Sequence, residues 1–189
     1  MRILSLLRAF VRHRGGVSAV EFAFVAPVLL LALGCVTDMG RALRTKFNLS
    51  NALSVASSYA LNSANATPVT SSNGAALAST LASLLSSANA ANWANASVIV
   101  NNGPTATVSN GAIAAGGVAS GADSCYCPTG AKASLVWGAP VTCGATCGAS
   151  GALAGKFIVL TTTRSFTPLI LPVGLIASPV TDTSVVQVQ

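Results

Sequence analysis

Charge is scarce in this sequence and unevenly placed. Charged residues make up 7% of the 189 residues, and ten cations against four acids give a formal net charge of +6. Beyond Lys46 the only charged residues are Asp123, Lys132, Lys156, Arg164 and Asp182. A protein that binds nucleic acid needs a basic surface across its folded domain to neutralise the phosphates. The composition therefore excludes nucleic acid as a partner.

Histidine and clustered carboxylates are also lacking. The sole histidine, His13, lies in the basic N-terminal run, and apart from Glu21 the acidic residues are three isolated aspartates. A Ser-His-Asp relay needs a histidine in the folded domain, and a glycosidase needs two neighbouring carboxylates. We therefore expect no catalytic residues, no enzymatic activity and no cofactor.

One long apolar segment follows the basic N-terminal residues. Val17 to Thr37 are 21 residues with a single charge. As a helix with a rise of about 1.5 Å per residue, they would extend roughly 31 Å, which matches the apolar core of a bilayer. An ordinary secretory signal has a shorter apolar core, of about 7–15 residues, followed by a small-residue cleavage site. The segment therefore predicts a single membrane-spanning helix.

A carboxylate inside this apolar segment needs a reason. Glu21 would cost about 2–3 kcal/mol or more in lipid, so such a residue is normally paired or functional. The basic, flexible stretch Arg14-Gly15-Gly16 directly upstream suits a peptidase. Cleavage after Gly16 would make Val17 the first residue. Its cationic α-amine could then pair with Glu21 of a neighbouring subunit, which would remove the desolvation cost of both groups.

The junction between the basic leader and the apolar segment carries a recognisable pattern. From Arg14 it reads Arg-Gly-Gly-Val-Ser-Ala-Val-Glu-Phe-Ala-Phe-Val-Ala-Pro, so a glycine is followed, after four residues, by Glu-Phe. This resembles the start of TadE-like proteins, which are minor pseudopilins of the tight-adherence (Flp-type) branch of type IV pili. The resemblance implies that a prepilin peptidase cleaves between Gly16 and Val17, and that Glu21 and Phe22 serve in assembly.

The resemblance also implies partners and a location. The partners would be the prepilin peptidase, other pilin-like subunits, the inner-membrane assembly machinery and the lipid bilayer. The chain would be inserted in the inner membrane, with entry into the extracellular pilus left open. The cysteines beyond the apolar segment, more than the four leader arginines against three cations on the far side, indicate a cytoplasmic N-terminus and a periplasmic C-terminal domain. Pro27 removes one backbone donor and predicts a kink in the helix. That kink is either a tolerated feature of a membrane helix or a bend that assists bundle packing.

Four cysteines lie beyond the apolar segment, in the spacings Cys125-Tyr-Cys127 and Cys143-Gly-Ala-Thr-Cys147. An even number after an anchor indicates two disulfides and an oxidising compartment. A C-x-C pair closes poorly on itself, so the bonds should join the first pair to the second, either nested or crossed. A four-cysteine zinc site favours wider spacings in both halves. We therefore expect two disulfides, an unpaired Cys35 and no metal.

The remaining chain predicts helices first and strands later. Apolar residues at helical spacing extend the anchor helix to about Ala66, before Pro68, and a second helix is expected over residues 75–90. Five later stretches are rich in β-branched residues and separated by glycine and proline. They are residues 97–100, 105–108, 134–137, 156–166 and 183–188.

Together these features predict an α+β, type IV pilin-like fold. A long N-terminal membrane-spanning helix would precede a small antiparallel sheet of about four or five strands, stabilised by disulfides. The expected divisions are a leader at residues 1–16, a membrane and stem helix at 17–66, and an extracytoplasmic domain at 67–189. The expected function is that of a minor pseudopilin in Flp-type pilus assembly, supporting adhesion and biofilm formation. The alternative is an unprocessed, single-span periplasmic binding or scaffold protein.

Overall fold

A single long helix begins the described chain. The computed structural model describes residues 15–148, 151–172, 174–175 and 178–188, with side chains from Ala19 onward. Helix α1 covers Gly15–Ala66, with Pro27 inside it. It ends where Thr67 precedes Pro68, because a residue before proline is disfavoured in the helical conformation. The predicted end of the stem near Ala66 is confirmed. Residues 1–14 of the predicted leader lie outside the described residues.

The chain divides into two compact units, and α1 contributes to both. The first unit consists of Met1–Arg41 with Thr167–Ile176, and the second of Ala42–Phe166 with Ala177–Gln189. The segment 167–176 therefore joins the N-terminal part of the helix, although it follows most of the second unit in sequence.

The second unit contains a five-stranded antiparallel sheet. Its strands lie side by side in the order 112–117, 104–109, 95–100, 157–164 and 180–187. The strands are β1 (Asn95–Val100), β2 (Pro104–Ser109), β3 (Ala112–Gly117), β6 (Phe157–Arg164) and β7 (Val180–Gln187). Helix α2 (Gly74–Ser87) precedes the sheet, and a short 3-10 helix (Ala119–Asp123) follows β3. The predicted α+β architecture is confirmed.

The core lies between one face of this sheet and the two helical segments. Buried residues alternate along the strands, as in β1, where Ala96, Val98 and Val100 are buried. Alanine makes up most of the buried stripe of the α1 stem. Larger side chains fill the rest, and full burial of each stabilises the fold by about 1.5–3 kcal/mol. The largest of them are Leu49, Leu81, Leu85, Ile158 and Leu160.

Asparagine makes the tight turns between the first three strands. Asn101 and Asn102 have φ values of 51° and 54°, and Asn110 and Gly111 have values of 48° and 85°. The turn Asn110-Gly111 has two residues, and such turns favour left-handed conformations because they then match the twist of the strands. The turn between β1 and β2 has three residues, 101–103, and two of them are also left-handed. Strand β3 was not predicted, since its sequence, Ala-Ile-Ala-Ala-Gly-Gly, has one β-branched residue and all six positions are exposed.

The two disulfides hold a region that has little regular structure. Cys125 is bonded to Cys143 and Cys127 to Cys147, with Cα–Cα distances of 5.0 and 5.6 Å. The predicted bonding between the two pairs is confirmed, and its connectivity is crossed. The predicted strand at residues 134–137 is β5 (Ser134–Val136), which pairs with β4 (Thr129–Ala131) in a separate two-stranded sheet rather than in the main one.

Candidate functional site

The N-terminal part of α1 presents an apolar surface on all sides. Phe22 is 66% exposed and Phe24 77%, and most other side chains from Ala19 to Val36 are also exposed. A helix that is apolar all round requires an apolar environment, either a protein core or a membrane. The helix is long and apolar enough to cross a bilayer, and little of it is buried within the chain. It is therefore a candidate membrane anchor.

Glu21 lies on this exposed apolar surface, and so do Phe22 and Pro27. In the helix, Val17 and Glu21 are four residues apart, so they lie on the same side about one turn from each other. The side chains of residues 15–18 are outside the described part. The roles assigned to Gly16, Val17, Glu21, Phe22 and Pro27 therefore stay predictions.

Asp38, just beyond the apolar segment, accepts three backbone hydrogen bonds. Its Oδ1 accepts from the amide of Leu169, and its Oδ2 accepts from the amides of Ile170 and Leu171, each at 2.9 Å. The carboxylate is fully buried, and the Arg41 guanidinium lies 3.5 Å from Oδ1. One aspartate therefore holds three consecutive amides of the segment 167–176.

These contacts favour the ionised form of Asp38. The amides of Leu169, Leu171 and Ile170 hold the pKa of its carboxyl below the ordinary value, burial opposes this, and Arg41 adds a smaller lowering. A carboxylate that accepts several amide hydrogen bonds is stabilised because each N–H dipole points at its negative charge. Asp38 is thus a charged anchor point for the segment.

A close contact between Gly34 of the anchor helix and Ile170 also positions the segment 167–176. A Cβ added to Gly34 would lie 2.7 Å from Cγ2 of Ile170, so Ile170 occupies the space that any larger residue would need. Gly40, further along the same helix, has nothing within 4 Å of such a Cβ. Gly34 and Asp38 are one helical turn apart. Gly34 leaves space for the side chain of Ile170, and Asp38 binds the amides of residues 169–171.

In the sequence Asp38 is an isolated acid, so its hydrogen bonds to residues 169–171 were not predicted. The local signal was weak, because Asp38 and Leu169 are 131 residues apart. Two sequence features could have suggested these hydrogen bonds. An acid follows the end of the apolar helix, and a later uncharged stretch is bounded by Pro168 and Pro172. Such a stretch has few amide donors of its own and can place all of them on one acceptor.

Comparison with known proteins gives one match. Residues 16–57 match the family model described as TadE-like protein. The match begins at Gly16, continues through the apolar segment and ends within the stem, so it confirms the resemblance recognised in the sequence. It suggests a role in the assembly of tight-adherence pili, with pilin-like partners. No curated protein and no solved structure matches the chain.

Proposed function

Because residues 16–57 are similar to TadE-like proteins, we propose that this protein is a minor pseudopilin that takes part in assembly of Flp-type pili. It would thereby support adhesion and biofilm formation. Its role would be structural, through contacts with other subunits, and no catalytic step belongs to the proposal.

The observation that carries the proposal is the exposed apolar helix with one carboxylate. Before assembly, lipid would surround this apolar helix in the monomer. In a filament, the apolar helices of other subunits would surround it, so the same segment would be buried in both states. Glu21 would favour transfer of the helix from lipid into a filament, because a carboxylate in lipid raises the free energy until it pairs with a cation. Assembly would therefore be driven by helix burial and by pairing of this charge.

The partner of Glu21 would come from processing. Cleavage after Gly16 by a prepilin peptidase would create an α-amine on Val17, and this cation would pair with Glu21 of a neighbouring subunit. Within one chain Val17 and Glu21 are about one helical turn apart on the same side of the helix, so a neighbour displaced along the axis by about one turn could bring its Glu21 to the amine. Each pair formed would satisfy two charges that lipid cannot solvate.

The disulfides support the proposed topology. Bonds such as Cys125–Cys143 and Cys127–Cys147 persist in oxidising compartments, among them the bacterial periplasm. The sheet unit would therefore lie on the periplasmic side of the inner membrane, with the arginine-rich leader in the cytoplasm. This is also the direction that the positive-inside rule favours.

The decisive experiment is mass spectrometry of the N-terminus of the protein from native membranes. We expect a mature chain that starts at Val17. Gly16→Val should accumulate the uncleaved form, because a branched side chain would block the peptidase at the bond. Gly15→Ala, a small change one residue away, is the matched control and should still be cleaved.

The outcome separates the proposal from a plain anchor. An unprocessed single-span scaffold protein would retain Met1 in its stable, functional form, and Gly16→Val would change nothing. Finding intact Met1 on wild-type protein that co-purifies with pili would contradict the proposal.

A further inference from the structure

An uncharged, apolar loop lies beside the end of the anchor helix. The loop lies in the connection between β6 and β7, and the sequence of residues 167–175 is Thr-Pro-Leu-Ile-Leu-Pro-Val-Gly-Leu. Of these, the structure describes residues 167–172 and 174–175. Leu169 is 72% exposed and Leu175 69%, and Ile170 is half exposed even though it contacts Gly34. In water, these side chains would form an unfavourable apolar surface. We call this segment the 167–175 loop.

The backbone donors of residues 168–172 have partners within the protein. Pro168 and Pro172 have no N–H group. The three amides between these prolines donate to Asp38, and the amide of Leu175 donates to the carbonyl of Pro172. Irregular backbone is excluded from lipid mainly because its polar groups lack partners there. Residues 168–172 of this loop avoid that penalty for every donor.

The contact with Gly34 gives the depth of the loop. Gly34 lies within the 21-residue apolar segment, one helical turn before its end, and Ile170 packs directly on it. If this segment spans the bilayer, a residue that touches Gly34 lies at the same level, beneath the lipid surface. Arg41, which is half exposed and lies 3.5 Å from Oδ1 of the buried Asp38, follows within the next two turns, where its guanidinium can reach the headgroups.

We propose that the 167–175 loop is inserted into the lipid leaflet at the Asp38 end of the anchor helix, and that Asp38 holds it there by binding its amides. The exposed apolar side chains of the loop contact the acyl chains of the lipid. The loop is a second membrane contact of the protein, built from a part of the chain far from the anchor in sequence. This inference is independent of cleavage after Gly16 and of pilus assembly.

The position of the loop can be measured with fluorescent probes. The full chain, carrying Cys35→Ala to remove the free thiol, is reconstituted into vesicles of phosphatidylethanolamine and phosphatidylglycerol. Leu169→Cys and Leu175→Cys each carry an environment-sensitive fluorophore. Quenching is compared between lipids with a nitroxide on the acyl chain and iodide in the water. Val118→Cys is the matched reference, because Val118 is apolar and 69% exposed but belongs to the other unit.

We expect acyl-chain nitroxides to quench probes at 169 and 175 several-fold more strongly than the probe at 118, and iodide to show the reverse order. Adding Asp38→Asn should cut the lipid quenching at 169 by more than half. The amide of asparagine has one oxygen, and its NH2 group would face the amides of the loop. Asp182→Asn, which removes the partner of Lys46 in the other unit, is the control and should leave the quenching unchanged.

Three results would overturn the proposal. Strong iodide quenching at 169 and 175 would place the loop in water. Shielding from both quenchers would mean that protein covers the loop, either a second copy or another subunit. Unchanged lipid quenching in Asp38→Asn would show that Asp38 does not hold the loop in place.

Discussion

The acidic residues of the described chain lie in different surroundings, and each surrounding implies a different role. Glu21 is exposed on the apolar part of the helix. Asp38 is buried against three amides of the 167–175 loop. Asp123 is exposed and accepts from the amide of Ser71 at 2.8 Å. Asp182 forms a 2.9 Å ion pair with Lys46 of the stem. The three aspartates each join segments that are distant in sequence, whereas the pairing of Glu21 with a neighbouring subunit is part of the proposed function.

Replacing Glu21 should affect assembly and leave insertion intact. Glu21→Ala removes a charge from the apolar segment, so the helix should insert into membranes at least as well as the wild type. Cleavage after Gly16 should persist, whereas the number of pili per cell and the co-purification of pilin-like subunits should fall. Electron microscopy of cells and pull-down from membranes measure these two quantities.

Glu21→Asp is the matched variant, because it keeps the charge and shortens its reach. It should recover part of the pilus number. Normal pili and a normal subunit complement in Glu21→Ala cells would show that Glu21 is a tolerated anomaly, and the plain-anchor interpretation would then be preferred.

The hydrogen bond of Asp123 should make stability depend on pH. The amide and hydroxyl of Ser71 lower the pKa of Asp123 from 3.8, and Lys156 adds a smaller effect in the same direction. Because the folded pKa is depressed, the stabilisation is fully present above the unfolded pKa and is lost as pH falls through the folded value. Asp123→Asn should therefore lower the melting temperature at neutral pH, and the difference from wild type should shrink below about pH 4.

Thermal unfolding followed by circular dichroism over a pH series measures this difference. Ser71→Ala is a useful comparison, because it removes the hydroxyl and keeps the amide, so its effect should be smaller. A difference between Asp123→Asn and wild type that stays constant down to strongly acidic pH would contradict the assignment.

Among the elements, the anchor helix places Gly34 and Gly40 in opposite surroundings. Gly40→Ala meets nothing within 4 Å and should stabilise the helix by about 0.5–1 kcal/mol, because glycine is a poor helix former. Gly34→Ala would collide with Ile170, so the 167–175 loop must shift and its hydrogen bonds to Asp38 should weaken. Hydrogen exchange of the amides of residues 169–171 measures this, with Gly40→Ala as the control that leaves their protection unchanged.

The disulfide region is an element that depends on covalent bonds. Its two bridges close loops with sequence separations of 18 and 20 residues, and Cys125 and Cys147 are buried. A loop of this size corresponds to about 3 kcal/mol of stabilisation. The loops overlap, so one bridge already restricts most of the chain that the other closes. Replacing one pair with serine should cost less than about 3 kcal/mol, and replacing both should cost more than twice the single loss.

Denaturant unfolding of the single-pair and double-pair variants tests this non-additivity, and peptide mapping without reductant should recover the two crossed links. Cys35 is the only free cysteine and is partly exposed, so it should be the only one to react with a thiol reagent in the native protein. Equal and additive losses for the two bridges would contradict the overlapping-loop account.

For the whole molecule, the stem of α1 is part of the folded core of the second unit. Ala52, Leu53, Ala56, Ala60 and Ala64 belong to the same buried cluster as the sheet residues Val98 and Ile158. The hydroxyls of Ser57 and Ser184 are 3.1 Å apart, which joins the stem to β7. The second unit therefore includes the stem from Ala42 onward. Removing the chain up to residue 66 would take away the helix that packs on one face of its sheet.

A fragment of residues 42–189, expressed in an oxidising compartment, should therefore fold as a cooperative unit. A fragment of residues 67–189 should not, because the sheet would lose its alanine-rich helical cover and expose its core. Circular dichroism and thermal melts compare the two fragments. Cooperative unfolding of the shorter fragment would contradict the role given to the stem.

Local patterns in the sequence determined much of this protein. The length of the apolar segment, the helical spacing up to Ala66, the bonding between two cysteine pairs and the α+β order all follow from residues close to one another in the chain. The G-x4-E junction at Gly16 and Glu21 likewise lies within a few residues, so it could be recognised without a structure. Such features depend on local geometry and composition, which the sequence states directly.

Tertiary structure decided the features that join distant residues. The crossed connectivity of the disulfides depends on how the loops fold over each other, and spacing alone allows two answers. Asp38 binds amides that lie more than 130 residues away along the chain. In each case the stabilising contact is between segments that only the folded backbone brings together, so no local pattern encodes it.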